Sequence, residues 1–134
     1  MSWSKILNYD YSKIFHWLIT TGIVLFAALI MIVLGFIWLK YASKKYKCFY
    51  GYKTAYAKKD NTAWVFVNRT TGRLWVIIGI CLFLADAFIM LRCMHGPDEH
   101  IAASALVLLL LEGFAMACCH FYIRHISKKK FGDL

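Results

Sequence analysis

The stretch that decides the fold is residues 17–39, which read WLITTGIVLFAALIMIVLGFIWL without a charged side chain. At 1.5 Å per residue, a helix of this length reaches about 34 Å, and the hydrocarbon core of a bilayer is about 30 Å thick. Lys40, Lys44 and Lys45 follow the run. The run is too long for a signal-peptide core and no small-residue cleavage site follows it. The stretch therefore predicts a transmembrane helix that remains in the mature protein.

Two further apolar runs lie downstream. Leu74–Leu91 contains Asp86 as its only charged residue, and Ile101–Ile123 is interrupted by Glu112 and His120. The short segment between these runs contains Gly and Pro, which break helices and predict a tight turn. The chain therefore carries three segments of spanning length.

The overall composition agrees with a membrane protein. The 134 residues are 61% hydrophobic and 17% charged, whereas an ordinary soluble domain is about 45–50% apolar and about a quarter charged. Only helices and closed barrels satisfy their backbone in lipid, and these runs lack the alternating polarity of barrel strands. We therefore predict an all-α membrane protein, a single domain over residues 1–134. Its transmembrane helices lie at about 15–40, 73–94 and 99–124, with a cytoplasmic amphipathic or interfacial segment at 41–72.

The basic residues predict the orientation. Thirteen of the 16 Lys and Arg lie in the first loop, at its borders or in the C-terminal tail. By the positive-inside rule, this distribution predicts an outside N-terminus and a cytoplasmic C-terminus. Topology and attraction to anionic membrane lipids, worth about 1 kcal/mol per basic residue near the surface, account for most of the net charge of +9. No nucleic-acid partner is needed, since no groove-reading or aromatic-basic motif is present.

No catalytic pattern is visible in the chain. A nucleophile with its base, a metal-binding helix motif and a phosphate-cradling glycine loop are all missing from the sequence. Five cysteines without a C-x-x-C pair indicate buried thiols rather than a disulfide framework. We therefore expect no enzyme activity, no cofactor and no metal. One polar cluster between the second and third runs fits no closed zinc site and is typical of a polar loop: Cys93, His95, Asp98, Glu99 and His100.

The first loop carries a spaced pattern of aromatic, amide and glycine residues. Asp60 or Asn61 is a good N-cap for a short helix through Trp64 and Asn68, which are four residues apart and share a face. Two interpretations stay open, an interfacial anchor with its aromatics at the headgroups or a binding site for a partner. We expect Gly72 to bend the chain into the second spanning helix. The pattern as a whole comprises Gly51, Tyr52, Lys53, Thr54, Trp64, Asn68, Gly72 and Gly79.

This pattern resembles the signature of the SdpI (sporulation-delay toxin immunity) family of small bacterial membrane proteins. The resemblance covers roughly residues 48–91, together with the general arrangement of the third helix. Lys53 stands where the family usually has Arg, and Val67 stands where Ala commonly precedes the Asn. The resemblance implies a bacterial plasma (inner) membrane protein that protects its producer from a secreted toxic peptide. It also implies, from the best-known member, a role in holding a transcription regulator at the membrane.

Asp86 and Glu112 fall near the middle of the second and third spanning helices. A carboxylate at this depth costs about 2.5–3.5 kcal/mol on insertion scales, so such groups face inward and are often functional. Steps of seven residues from each acid reach small residues, which let helices approach closely: Gly72, Gly79, Cys93, Ala105 and Cys119. Two interpretations stay open. The acids either hold the helices together, with Thr20, Thr21 or His120 as partners, or bind a ligand, proton or cation.

Three functions follow from these observations as alternatives. The first is an immunity-type protein whose outer hairpin and acid-lined seam meet a toxic peptide. The second is a membrane scaffold or signalling subunit that recruits a cytosolic regulator through residues 49–72. The third is a small proton- or ion-coupled transport subunit that uses Asp86 and Glu112. Three helices leave much side surface exposed, which favours a homo-oligomer or a larger membrane complex.

Overall fold

The computed structural model describes the backbone of residues 3–94 and 96–132 and the side chains of residues 11–94, 96–97 and 99–132. His95 and the Asp98 side chain, two members of the polar loop cluster, lie outside this description. Within the described residues, all of the regular secondary structure is helical and there is no strand, which confirms the all-α prediction. The elements are α1 (Trp3–Lys40), a 3₁₀ turn (Ala42–Lys44), α2 (Asn61–Cys93) and α3 (Asp98–Phe131).

Helix α2 begins at Asn61 rather than near residue 73, so the short helix and the second spanning helix are one element. Asp60 is its N-cap, and the Asp60 carboxylate accepts a hydrogen bond from the Ala63 backbone N–H at 2.7 Å. The helix continues through Gly72 without a break, so the expected bend is absent. The reason is that Gly72 serves a close helix crossing: a Cβ at Gly72 would lie 2.6 Å from the Gly35 carbonyl oxygen.

The three helices pack along narrow stripes. The buried positions of α1 recur at steps of three and four, the spacing of one helix face. All three helices are long and apolar enough to cross a membrane. Their outward faces carry large apolar side chains such as Phe26, Leu84 and Phe114, as expected of a surface that contacts lipid. The buried stripe of α1 comprises Thr21, Val24, Ala28, Met31, Gly35 and Trp38.

The antiparallel order of the helices gives the bundle two distinct ends. At one end lies the connector, which we define as residues 41–60, together with the start of α2 and the end of α3. At the other end lies the hairpin, residues 94–97, which joins α2 to α3. Near the hairpin the Trp17 indole Nε1 donates to the Met90 carbonyl at 2.6 Å, which pins α1 to α2. The connector end gathers the 13 basic residues identified above.

Candidate functional site

Trp64, in the first turn of α2, is the centre of the connector end. Its side chain is 0% exposed, and the indole Nε1 donates to the Ala42 carbonyl at 2.7 Å. Gly51 lies against the indole, since a Cβ at Gly51 would overlap the Cζ2 and Cη2 atoms of the ring. The Gly51 position therefore accepts no side chain while Trp64 keeps its place. An exposed interfacial position for Trp64, one of the two interpretations of this segment, is wrong because the connector folds over the ring.

Asn68 lies one turn after Trp64 on the same buried face. Its Oδ1 accepts from the Tyr52 backbone N–H at 2.8 Å. Its Nδ2 donates to the Trp64 carbonyl at 3.0 Å and to the Tyr52 carbonyl at 3.5 Å. An amide side chain suits this position because its oxygen accepts while its nitrogen donates. Asn68 thus holds both backbone groups of Tyr52 and fastens the connector to α2.

The Tyr52 side chain extends this cluster to α1 and α3. Its hydroxyl is 2.5 Å from His120 Nδ1 on α3, and its ring lies 4.9 Å from the Trp38 ring on α1. Trp38 in turn donates from Nε1 to the Tyr50 carbonyl at 3.0 Å. We call this cluster of Trp38, Gly51, Tyr52, Trp64, Asn68 and His120 the connector lock.

The environment of Tyr52 favours its protonated form. Burial raises the pKa of the Tyr52 hydroxyl above its usual value, and the nearby Cys119 thiol adds a smaller increase. A protonated hydroxyl donates to His120 Nδ1 when that ring nitrogen is unprotonated. The hydrogen bond between Tyr52 and His120 therefore joins the connector to α3 and places His120 away from the two buried acids.

Lys53 and Thr54 complete the first block of the motif. The Thr54 hydroxyl accepts from the Ala57 backbone N–H at 3.1 Å and stabilises the turn that follows. Lys53 is exposed. Together with His120 and Arg124, it lines a surface cavity of about 260 Å³. Lys53 is thus the motif side chain that the structure directs outward.

The last two motif glycines lie where α1 and α2 cross. A Cβ at Gly35 would lie 2.8 Å from the Gly72 carbonyl oxygen, and one at Gly79 would lie 2.7 Å from Ile32 Cγ1. The backbones approach so closely that neither helix tolerates a side chain at this crossing. Local sequence patterns did not indicate that Gly35 and Trp38 belong with the motif, because both lie on α1, far from it in the chain. Their only signal was their place on the α1 stripe.

Asp86 and Glu112, which we call the acid pair, lie inside the bundle on α2 and α3. Asp86 is 0% and Glu112 is 2% exposed. The two carboxyl groups lie next to each other, and no described protein atom outside the pair makes a hydrogen bond to any of their four oxygens. Ionised carboxylates only accept hydrogen bonds, so two of them cannot bond to each other. Because both groups are enclosed, they do not form an accessible seam for a peptide.

Comparison with known proteins gives one match. A family-level sequence model, described as the SdpI/YfhL protein family, matches residues 44–122, more than half of the chain. No curated protein and no solved structure matches the chain. The matched range covers the connector from residue 44, all of α2, and α3 as far as Tyr122. It therefore contains both residues of the Tyr52–His120 hydrogen bond.

Proposed function

Because the chain belongs to the SdpI/YfhL protein family, we propose that it is an immunity-type membrane protein that protects a bacterium from a secreted toxic peptide. The observation that carries this proposal is the family match across residues 44–122. The three helices of spanning length support a protein that works within the membrane. The function requires binding or shielding and no catalysis, in keeping with the absence of a catalytic motif from the sequence.

We place the protein in the plasma membrane with the connector and C-terminus in the cytoplasm and the N-terminus outside. The charge distribution supports this orientation, since 13 of 16 basic residues lie at the connector end. A membrane-impermeant thiol reagent tests it on a background without the native cysteines. We expect Lys58→Cys to be labelled only after the membrane is opened and Ser12→Cys to be labelled in intact cells. The reverse pattern would overturn the orientation.

The proposed function assigns a structural part to the connector lock. Its aromatic and amide groups face one another, so they hold the connector in one conformation and do not themselves present a surface to a partner. The surface that surrounds the lock is different. Phe49 is 87% exposed and packs edge-on against Tyr50, in a connector rich in lysines. This exposed aromatic pair supports a second candidate function, recruitment of a cytosolic regulator.

A toxin challenge tests the first function. Susceptible bacterial cells with and without the expressed chain are exposed to the peptides secreted by its source organism, and survival is counted. We expect the wild-type chain to protect, Trp64→Ala to lose protection, and Phe49→Ala to keep it. Equal killing with and without the wild-type chain, at verified membrane expression, would overturn the immunity function.

Variants at Phe49 and Lys53 distinguish the immunity function from the recruitment function. If the chain recruits a cytosolic regulator, Phe49→Ala should reduce the amount of soluble protein that co-purifies with the membrane-bound chain, while protection persists. Lys53→Ala is a second variant, at a charged and exposed residue of the connector. Co-purification that is unchanged in Phe49→Ala and in Lys53→Ala would remove the recruitment function and leave immunity untouched.

A further inference from the structure

The acid pair has no counter-charge within the bundle. No Lys, Arg or His occurs in residues 17–39 of α1, in residues 74–91 of α2 or in residues 101–119 of α3. On its own helix, each acid is therefore separated from the nearest basic residue by more than one helical turn on either side. A charge in the bilayer interior is unfavourable unless it is paired. Two ionised carboxylates side by side would add mutual repulsion to that penalty.

A third buried polar group lies at the same level, on α1. Trp17 Nε1 bonds to the Met90 carbonyl, and α1 and α2 are antiparallel. One turn further along each helix, Thr21 and Asp86 therefore lie beside each other on the facing sides. Thr21 is 8% exposed, and its hydroxyl oxygen also has no hydrogen-bond partner among the described protein atoms. All three helices thus contribute an enclosed, unpartnered oxygen group.

The contact between α2 and α3 places Glu112 at this level as well. The Cys93 thiol lies 3.3 Å from the Ser104 hydroxyl. About two turns inward from that contact on each helix are Asp86 and Glu112. The convergence of three such groups is therefore a property of the helix register and does not depend on one side-chain rotamer.

We propose that Thr21, Asp86 and Glu112 form an intramembrane proton-binding site, in which a proton held between the two carboxyl groups takes the place of a counter-charge. The protonated carboxyl donates to the carboxylate. The Thr21 hydroxyl, which makes no hydrogen bond to a described protein atom, is a donor from α1 that is available to a remaining carboxylate oxygen when the proton is bound. Proton binding removes one negative charge from the interior of the bundle. It also supplies an O–H donor to carboxylate oxygens, which can only accept hydrogen bonds. The site is independent of the toxin-immunity function, since it makes no use of the connector.

Infrared spectroscopy of the purified protein at neutral pH tests this proposal. A protonated carboxylic acid has a carbonyl stretching band that an ionised carboxylate lacks. We expect the acid band in the wild type, its loss in the isosteric double variant Asp86→Asn/Glu112→Gln, and a shifted band in Thr21→Val.

Isotope labelling keeps the test decisive if the double variant does not fold. Glu99 and Glu112 are the two glutamates of the chain, and Glu99 is exposed. A shift of the acid band on ¹³C-glutamate labelling identifies a glutamate, and loss of that shift in the single variant Glu112→Gln assigns it to Glu112. ¹³C-aspartate labelling with Asp86→Asn assigns Asp86 in the same way. Absence of the band, or a band that neither label moves, would overturn the proposal. Carboxylate bands that change when sodium chloride replaces choline chloride would instead identify a metal-cation site and equally exclude the proton site.

Discussion

Trp64 and Asn68 at the centre of the connector lock are as deeply buried as the acid pair, but the two regions differ in how their polar atoms are hydrogen-bonded. In the lock, the Trp64 indole, the Asn68 amide and the Tyr52 hydroxyl each have a partner at hydrogen-bond distance. In the acid pair, none of the four oxygens is hydrogen-bonded to a described protein atom outside the pair. A fully bonded network stabilises one conformation, whereas an unsatisfied buried group is retained at a cost in stability. The difference indicates a structural role for the lock and is the basis of the proton-binding proposal for the acids.

This comparison changes the interpretation of the family motif. Seven of its eight residues make contacts within the chain, in the lock, in a turn or at the helix crossing, and Lys53 points outward. The motif residues therefore stabilise the packing of the connector against the helix bundle. Residues that contact a toxic peptide or a regulator are expected on the surface around it.

The largest expected effect on stability is that of Trp64→Ala, which tests the structural role of the lock. Truncation of a fully buried Trp removes its packing against Gly51 and its hydrogen bond to Ala42, and we expect a loss of about 3–5 kcal/mol in the free energy of unfolding. Phe49→Ala is the matched aromatic control, because Phe49 is 87% exposed; its effect should stay within about 0.5 kcal/mol. Thermal unfolding in detergent measures both. Comparable losses in the two variants would contradict the central place of Trp64.

A glycine pair tests the helix crossing that supports the lock. Gly72→Ala places a Cβ against the Gly35 carbonyl and the Leu39 backbone, atoms that cannot rotate away, so we expect a loss of about 1–3 kcal/mol. Gly113→Ala is its control in α3, since nothing lies within 4 Å of the added Cβ. That variant should gain about 0.5–1 kcal/mol from higher helix propensity. Thermal unfolding in detergent measures both variants. A change of the same sign in the free energy of unfolding of both would refute a backbone crossing at Gly72.

One substitution of the Asn68 amide and one of the Asp86 carboxyl compare the lock with the acid pair directly. Asn68→Ala leaves the Tyr52 backbone N–H and carbonyl without their partner, and we expect a loss of about 1–2 kcal/mol. Asp86→Asn keeps the size of the side chain, and its amide N–H can donate to Glu112 in place of the shared proton, so the protein should be as stable or more stable. Thermal unfolding at neutral pH compares the variants. A larger loss in Asp86→Asn than in Asn68→Ala would mean that the acids, and not the lock, stabilise the bundle.

Much of the fold could be predicted from the sequence, because charge-free runs of spanning length leave few alternatives. The N-cap of α2 and the shared face of Trp64 and Asn68 were also local patterns and were correct. The start of α2 was less clear, since residues 61–73 mix polar and apolar side chains and hydropathy treats them as a loop. Asp60 capping and packing of the buried face against the connector make them helical. Local hydropathy does not detect that packing.

The lock could not be predicted from the sequence for a related reason. Its contacts join positions far apart in the chain, such as Tyr52 with His120 and Trp64 with Ala42. Trp38 and Trp64 have the composition and placement of an interfacial aromatic belt, and only the three-dimensional packing shows that they face inward. Pairing between distant segments is set by helix register and crossing, which no single segment encodes.

The smallest expected effect concerns the outermost bond of the lock, and it carries a pH dependence. Tyr52→Phe removes the hydrogen bond to His120, and we expect a loss of about 0.5–1.5 kcal/mol at neutral pH. Burial raises the pKa of the Tyr52 hydroxyl in the folded protein above that in the unfolded chain. Its contribution is therefore present below about pH 10, the usual tyrosine pKa, and is lost as the pH rises through the folded-state value. The difference in melting temperature between wild type and Tyr52→Phe should shrink between pH 8 and strongly alkaline conditions. A constant difference would show that ring packing alone, and not the protonated hydroxyl, joins the connector to α3.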